Sequence, residues 1–209
     1  MSCPSQADDR TDCSIGDEPA LLALFDRNRP RLRRMVQLRL DRRLRGRIDA
    51  DDVLQEAFLD VARRAAEYLV GSSMPPFLWV RFLTAQRLQV LHRQHLGAQM
   101  RDAGQEVSLH RGAPPRADSA SLAAMLLGQL TSPTRAARRA EMQLRLQEAL
   151  NAMDPIDCEV LTLRHFEELS NAEVALVLGL QKTAASNRYI RALKRLREVL
   201  SDLADFFET

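Results

Sequence analysis

Near its C-terminal end the chain carries Ser170 and Glu173, then an apolar run closed by Gly179. A serine followed three residues later by a glutamate is a capping box: the serine oxygen takes a backbone N–H of the first turn and the glutamate reaches back to the serine N–H. The pair predicts a helix starting at Asn171. Val174, Ala175 and Leu178 fall on one face of it, and Gly179 stands where a glycine takes positive φ and turns the chain. Leu180 would plug that turn. From Lys182 helical spacing resumes, with Ala185, Tyr189, Ala192, Leu196 and Val199 inside and Ser186, Asn187, Arg188, Arg191 and Arg195 outside. A short helix, a tight turn and a longer polar-faced helix are the parts of a helix-turn-helix, which makes DNA the expected partner. Ahead of them, Asp154, Pro155 and Asp157 supply an N-cap, a first-position proline and a first-turn acid for a helix bearing Val160, Leu161, Leu163 and Phe166.

The N-terminal half reads as helix too. Residues 1–17 are polar and aperiodic and are expected to be disordered. Leu21, Leu24, Phe25, Leu32, Met35, Val36 and Leu40 form an apolar face, interrupted at Pro30, where the helix should kink or restart. Arg31, Arg34, Arg42 and Arg45 occupy the other face. Gly46 breaks the pattern, and Asp49 is placed to cap a helix from Ala50 to about Tyr68, with Val53, Leu54, Ala57, Phe58 and Val61 inward. A turn over 71–76 leads to a third helix from Phe77 to about Met100. The stretch 101–140, rich in glycine, proline and serine, is expected to be a linker, with a short amphipathic helix over 121–130. No strand pattern or internal repeat appears. The expected fold is all-α: two small helical domains, 18–100 and 141–200, joined by a long flexible linker, with a short acidic tail over 201–209.

Charge and cysteines narrow the chemistry. The net charge is only +2, yet 28 of the 30 basic residues are arginine, so local clusters matter more than the total. Cys3, Cys13 and Cys158 have no metal-like spacing and leave an odd count, as expected of reduced thiols. No apolar run approaches the roughly 20 residues that span a bilayer, and the first twenty residues lack a signal-peptide core, so a cytoplasmic protein without a membrane partner is expected. His92 and His95 are three apart on a helix, but no nearby cysteine or carboxylate completes a ligand set. Neither a phosphate loop, a metal set nor a nucleophile triad stands out, so no enzyme activity, catalytic residue or cofactor is expected.

Asp49-Ala-Asp-Asp-Val-Leu-Gln-Glu-Ala-Phe-Leu-Asp60 resembles the D-x-x-D-[VL]-x-Q-E-x-F signature in the core-binding part of region 2 of sigma-70 family factors. Pro76-Phe-Leu-Trp-Val-Arg-Phe-Leu83 is similar to the aromatic segment that opens promoter DNA in that family, and residues 150–200 resemble its region 4. Two domains and nothing more resemble the extracytoplasmic-function subclass. The likeness covers about 18–100 and 141–200, and three features in the right order are more specific than any one.

The resemblance implies a transcription initiation factor with core RNA polymerase and promoter DNA as partners. Asp52, Gln55, Glu56 and Phe58 would dock on the clamp helices of the β′ subunit, with region 4 on the β flap. Acids and an amide beside an apolar edge suit a basic coiled coil, and Phe58 adds buried area. Asp49 and Asp51 also serve as helix-capping acids. Phe77, Trp79, Arg81, Arg87, His92 and Arg93 would hold the opened downstream element, since a flipped base needs an apolar pocket and its strand needs cations. Lys182, Thr183, Ser186, Asn187, Arg188 and Arg191 would contact the upstream element, arginine and asparagine suiting base edges and lysine and serine suiting phosphate. Ala184 and Ala185 depart from the family pattern, which has a threonine or glycine and a bulky β-branched residue there. Asp102, Glu106 and Asp118 in the linker would mimic nucleic-acid charge or merely tether. An anti-sigma factor is a further partner the family implies. The competing reading of the same C-terminal unit is a free-standing dimeric regulator on palindromic DNA, which leaves the Asp49–Asp60 helix unexplained.

Overall fold

A computed structural model describes residues 15–96, 115–130 and 136–208, and these contain helices and no strand. The elements in order are α1 (Glu18–Arg27), α2 (Arg29–Arg39), α3 (Ala50–Gly71), α4 (Pro76–Leu96), α5 (Ser119–Leu130), α6 (Ala136–Asn151), α7 (Pro155–Leu161), α8 (Asn171–Leu178) and α9 (Lys182–Glu208). A π-helical turn, Thr162–Phe166, continues α7.

Local punctuation sets the boundaries. Asp17 caps α1 by accepting from Ala20 N at 2.9 Å. The expected interruption near Pro30 falls at Asn28, which separates α1 from α2. Asp49 accepts from Asp51 N and Asp52 N at 2.7 and 2.9 Å while Asp52 accepts from Asp49 N at 3.0 Å, completing a capping box at the start of α3. Asp154 accepts from Ile156 N at 2.8 Å and opens α7. Gly46 takes φ +93 in the loop before α3, where the sequence pattern breaks.

The first four helices enclose one core. Leu21, Phe25, Leu32, Val36, Val53, Leu54, Ala57, Val61, Val80, Leu83 and Leu88 are buried in it. α4 is apolar nearly all round, as a helix covered on most sides must be. The C-terminal unit adds Val160, Leu163, Leu169, Val174, Ala175 and Ala185 to this same cluster, so the two halves of the chain share packing.

The short helix expected over 121–130 is present, and helix extends further than expected in two places. Within the stretch expected as linker, α5 starts at Ser119 and buries Leu122, Ala123, Leu126 and Leu127 against Leu38 of α2 and Leu146 and Leu150 of α6. Asp118 N donates to Leu38 O at 2.8 Å, and Arg45 reaches Asp118 and Ser121, which fixes α5 on the N-terminal helices. Leucines at helical spacing next to an existing apolar face explain why this part packs. Asp102 and Glu106 lie outside the described residues, as does most of the expected N-terminal tail. At the other end, the helix runs on through the expected acidic tail to Glu208.

Candidate nucleic-acid and polymerase interfaces

The helix-turn-helix is built as its punctuation requires. Ser170 Oγ accepts from Glu173 N at 3.2 Å and Glu173 Oε2 accepts from Ser170 N at 2.7 Å. α8 ends at Gly179 with φ +64, and Leu180 N donates to Ala175 O at 2.8 Å across the turn. Asn171 Nδ2 donates to Lys182 O at 2.8 Å, tying the first residues of the two helices together. A Gly179→Val chain places a β-branched residue in the left-handed region, and should lose about 1–2 kcal/mol of stability in urea titration.

Along α9, Ala185 and Ala192 are fully buried. Ala185 is thus a packing contact in the core that holds Val174 and Ala175 of α8, where a small side chain suffices. The outward face carries Lys182, Thr183 and Asn187, all exposed, with Ser186 half-buried beside them. Arg188 and Arg191 are also on α9 but are held by α7. Arg188 Nη1 donates to Asp154 Oδ1 at 3.1 Å and Asp157 Oδ1 at 2.6 Å, and Arg191 Nη2 to Asp157 Oδ1 at 2.8 Å. Burial pushes the Asp157 carboxyl up, but hydrogen bonds from Arg191 and Arg188 outweigh that and hold it below its ordinary value of 3.8. With the folded value depressed, its stabilising contribution is complete above 3.8 and disappears as pH falls through the folded value. Sequence reasoning passed over Ile190, which is 64% exposed on this helix, and the exposed Lys194. The helical spacing of Ile190 from Thr183, Asn187 and Lys194, which puts it on the same outward face, was the sequence signal to use.

On α3, Asp51, Asp52, Gln55, Glu56 and Leu59 are exposed and share a side of the helix, with Leu59 45% exposed. Phe58 is half-buried, edge-on to Phe25 with ring centroids 5.4 Å apart. Asp51 pairs with Arg33 at 2.8 Å, and Glu56 with Arg87 at 3.2 Å. Gln55 thus faces water beside an acid and an exposed leucine, the mixture that suits a basic helical partner.

α4 is a different matter. Phe77 and Trp79 are buried, Phe77 beneath the Arg31 guanidinium at 3.9 Å and Trp79 tilted on Tyr68 at 4.9 Å. Arg81 is buried and donates to Glu167 Oε2 at 2.6 Å. Arg87 is bound by Asp60 at 2.8 and 2.6 Å. His92 is buried and accepts from Asp41 N at 3.3 Å. Burial lowers its pKa, against the pull of Asp41, so the neutral imidazole is favoured. Of the six α4 residues expected on DNA, only Arg93 is exposed in this conformation. The reason is chemical: aromatic and long cationic side chains on an apolar helix are also what a buried interface uses. No group of three metal-ligating side chains occurs among the described residues, and no described helix is long and apolar enough to cross a membrane.

Comparison with known proteins agrees with this geometry. The family profile described as Sigma-70, region 4 matches residues 143–196, the stretch holding α7, the π turn, α8 and most of α9. RNA polymerase sigma factor CarQ of Myxococcus xanthus is 28% identical over 188 residues, which cover 90% of this chain and 93% of that protein. The region 4 match and the sigma-factor relatives together support a sigma-70 family RNA polymerase sigma factor of the extracytoplasmic-function group. The protein named Probable RNA polymerase sigma factor RfaY, of Xanthomonas campestris pv. campestris, is 30% identical over 159 residues, 76% of this chain and 36% of that protein. The same matches support the coarse role, a transcription initiation factor that directs RNA polymerase to promoters. The CarQ match runs through both halves of the chain, so the α3 and α4 region falls within the likeness as well.

Proposed function

We propose that this sigma factor binds core RNA polymerase through the exposed side of α3, reads an upstream promoter element with α8 and α9, and opens the downstream element with α4. The observation that carries the reading is the exposed row Asp52, Gln55 and Glu56 with Leu59, backed by Phe58, in the same chain as a capped helix-turn-helix. In this reading the docking residues meet the β′ clamp helices, and the α7–α9 unit meets the β flap. The functional units are 18–100 and 141–200, with 101–140 connecting them. α9 supplies Lys182, Thr183, Ser186 and Asn187 to the DNA, joined by Arg188 and Arg191 when they leave Asp157. An anti-sigma factor covering these surfaces would silence the protein.

Reconstitution tests it. Purified chain added to core polymerase should give promoter-dependent RNA synthesis, and a chain that does not bind core sinks the proposal. Tight binding of the lone chain to palindromic DNA as a dimer would favour a free-standing regulator instead. Replacing Gln55 and Glu56 together by alanine should weaken core binding by about tenfold, equivalent to about 1.4 kcal/mol. Helix content should stay unchanged, since both side chains are exposed.

A further inference from the structure

Four arginines of the N-terminal helices converge on one short stretch of the C-terminal unit. Arg39 and Arg81 are buried, and Glu167, the residue after the π turn, is buried between them. Arg81 Nε donates to Glu167 Oε2 at 2.6 Å, and Arg39 pairs with both Glu167 and Glu159. At the rim, Arg31 donates from Nε to Glu167 O and from Nη2 to Glu168 O, both at 2.9 Å. Arg34 Nε donates to Phe166 O at 2.8 Å, and its Nη2 pairs with the Glu168 carboxylate. One stretch, 159–168, thus presents three carboxylates and three carbonyls to four guanidinium groups.

Two features separate this contact from an ordinary core. Glu168 sits at φ +55, a left-handed conformation that costs a non-glycine residue energy and persists only where neighbours hold it. Arg31 and Arg34 do the holding. The network is also incompletely satisfied: Arg39 Nε and Arg81 Nη2 are buried without a hydrogen-bond partner among the described residues. A permanent interface is more stable when apolar, whereas a polar and partly satisfied one is suited to release.

We propose that the α2/α4 arginine quartet is an intramolecular docking site for the 159–168 turn, that the docked chain is a closed form, and that release exposes the quartet to nucleic-acid phosphates. The carboxylates and carbonyls of the turn occupy the positions that phosphate oxygens would take, since guanidinium forks recognise both. Closure keeps Arg81 from DNA and holds α7 and the helix-turn-helix against the N-terminal bundle. The proposal rests on the reading of α4 as the strand-opening helix.

The test uses the full chain with Cys3 and Cys13 changed to serine, and spin labels at Arg63→Cys and Arg197→Cys, both exposed positions outside the contact. Cys158 needs no change, because burial pushes its thiol up to about 12 and keeps it unreactive. The unaltered contact should give one narrow distance distribution. Glu167→Gln should broaden and lengthen it, with helix content retained, and should tighten binding of a single-stranded thymidine oligonucleotide by about tenfold, with a steeper salt dependence. Arg34→Ala, a rim change that leaves no buried charge unpaired, should broaden the distribution on its own. A broad distribution before any change, or an unchanged one in Arg34→Ala, overturns the closed form. Opening without tighter oligonucleotide binding overturns the phosphate site. Neither readout involves polymerase, so failure here is distinct from failure of promoter-dependent synthesis.

Discussion

A Phe25→Ala chain should lose about 3–5 kcal/mol of unfolding free energy, the usual cost of emptying a fully buried aromatic site. Phe25 has no exposed surface, stands edge-on to Phe58 at 5.4 Å, and lies under the Arg29 guanidinium at 5.5 Å. α1 and α3 meet there, so the hole opens beneath the proposed docking face. Domain stabilities are typically about 5–15 kcal/mol, so this loss is a large part of the whole. Urea titration should show the midpoint falling with little change in slope. Core-polymerase binding should weaken at temperatures where the variant remains folded, because Phe58 then lacks its ring partner. Phe25→Leu keeps much of the volume and should recover most of both properties. If Phe25→Ala weakened stability but not polymerase binding, Phe58 would be a core residue only.

Asp157→Ala should push stability and DNA binding in opposite directions. The buried carboxylate holds Arg188 and Arg191 and sits in the first turn of α7 beside the Asp154 cap. Its hydrogen bonds to charged groups contribute about 2 kcal/mol, which the C-terminal unit should lose in thermal unfolding. The arginines can turn to water, so the penalty stays below that of stranding a buried charge. Freed, both guanidinium groups can reach phosphate. Holoenzyme binding to the upstream element should tighten, and its dependence on the logarithm of salt concentration should steepen by up to about two phosphate contacts. Weaker DNA binding in this variant would mean that Asp157 positions the arginines for the groove instead of withholding them.

The parts of this fold that were legible in the sequence are those fixed within a few residues. Asp49, Asp154 and Ser170 each cap a helix through hydrogen bonds spanning two or three residues, so the residue types alone reveal them. Gly179 takes its positive φ for an equally local reason. Helical periodicity also left Gln55 and Glu56 outside on α3, while their proposed docking on polymerase comes from the family resemblance. What stayed hidden depends on long-range pairing. Arg31 and Arg34 read as an outward polar face, yet they bond to residues 132–137 positions further on, and no periodic pattern encodes that. Arg81 and His92 are expected on the opened strand by resemblance, and their burial against Glu167 and the Asp41 backbone N–H in this conformation was not legible, because a cationic or imidazole side chain looks the same in sequence in either setting. In the tethering stretch the short helix over 121–130 was legible but its packing was not, because only the leucines of α2 and α6 give α5 a partner.

The separation of Glu167 from its arginines also sets an order of events during synthesis. The 86 residues between Arg81 and Glu167 take roughly 4–17 s to add at about 5–20 residues per second. Helices α1 to α4 can pack in that interval on their own apolar contacts, whereas Arg39 and Arg81 have no carboxylate from the 159–168 turn to meet. A nascent chain still on the ribosome therefore passes through a state in which its N-terminal half is folded and its arginine quartet is unpaired with the turn and open to the surrounding ribosomal and messenger RNA. The completed chain covers that quartet only when its own last third emerges, so a truncated product should bind polyanions persistently.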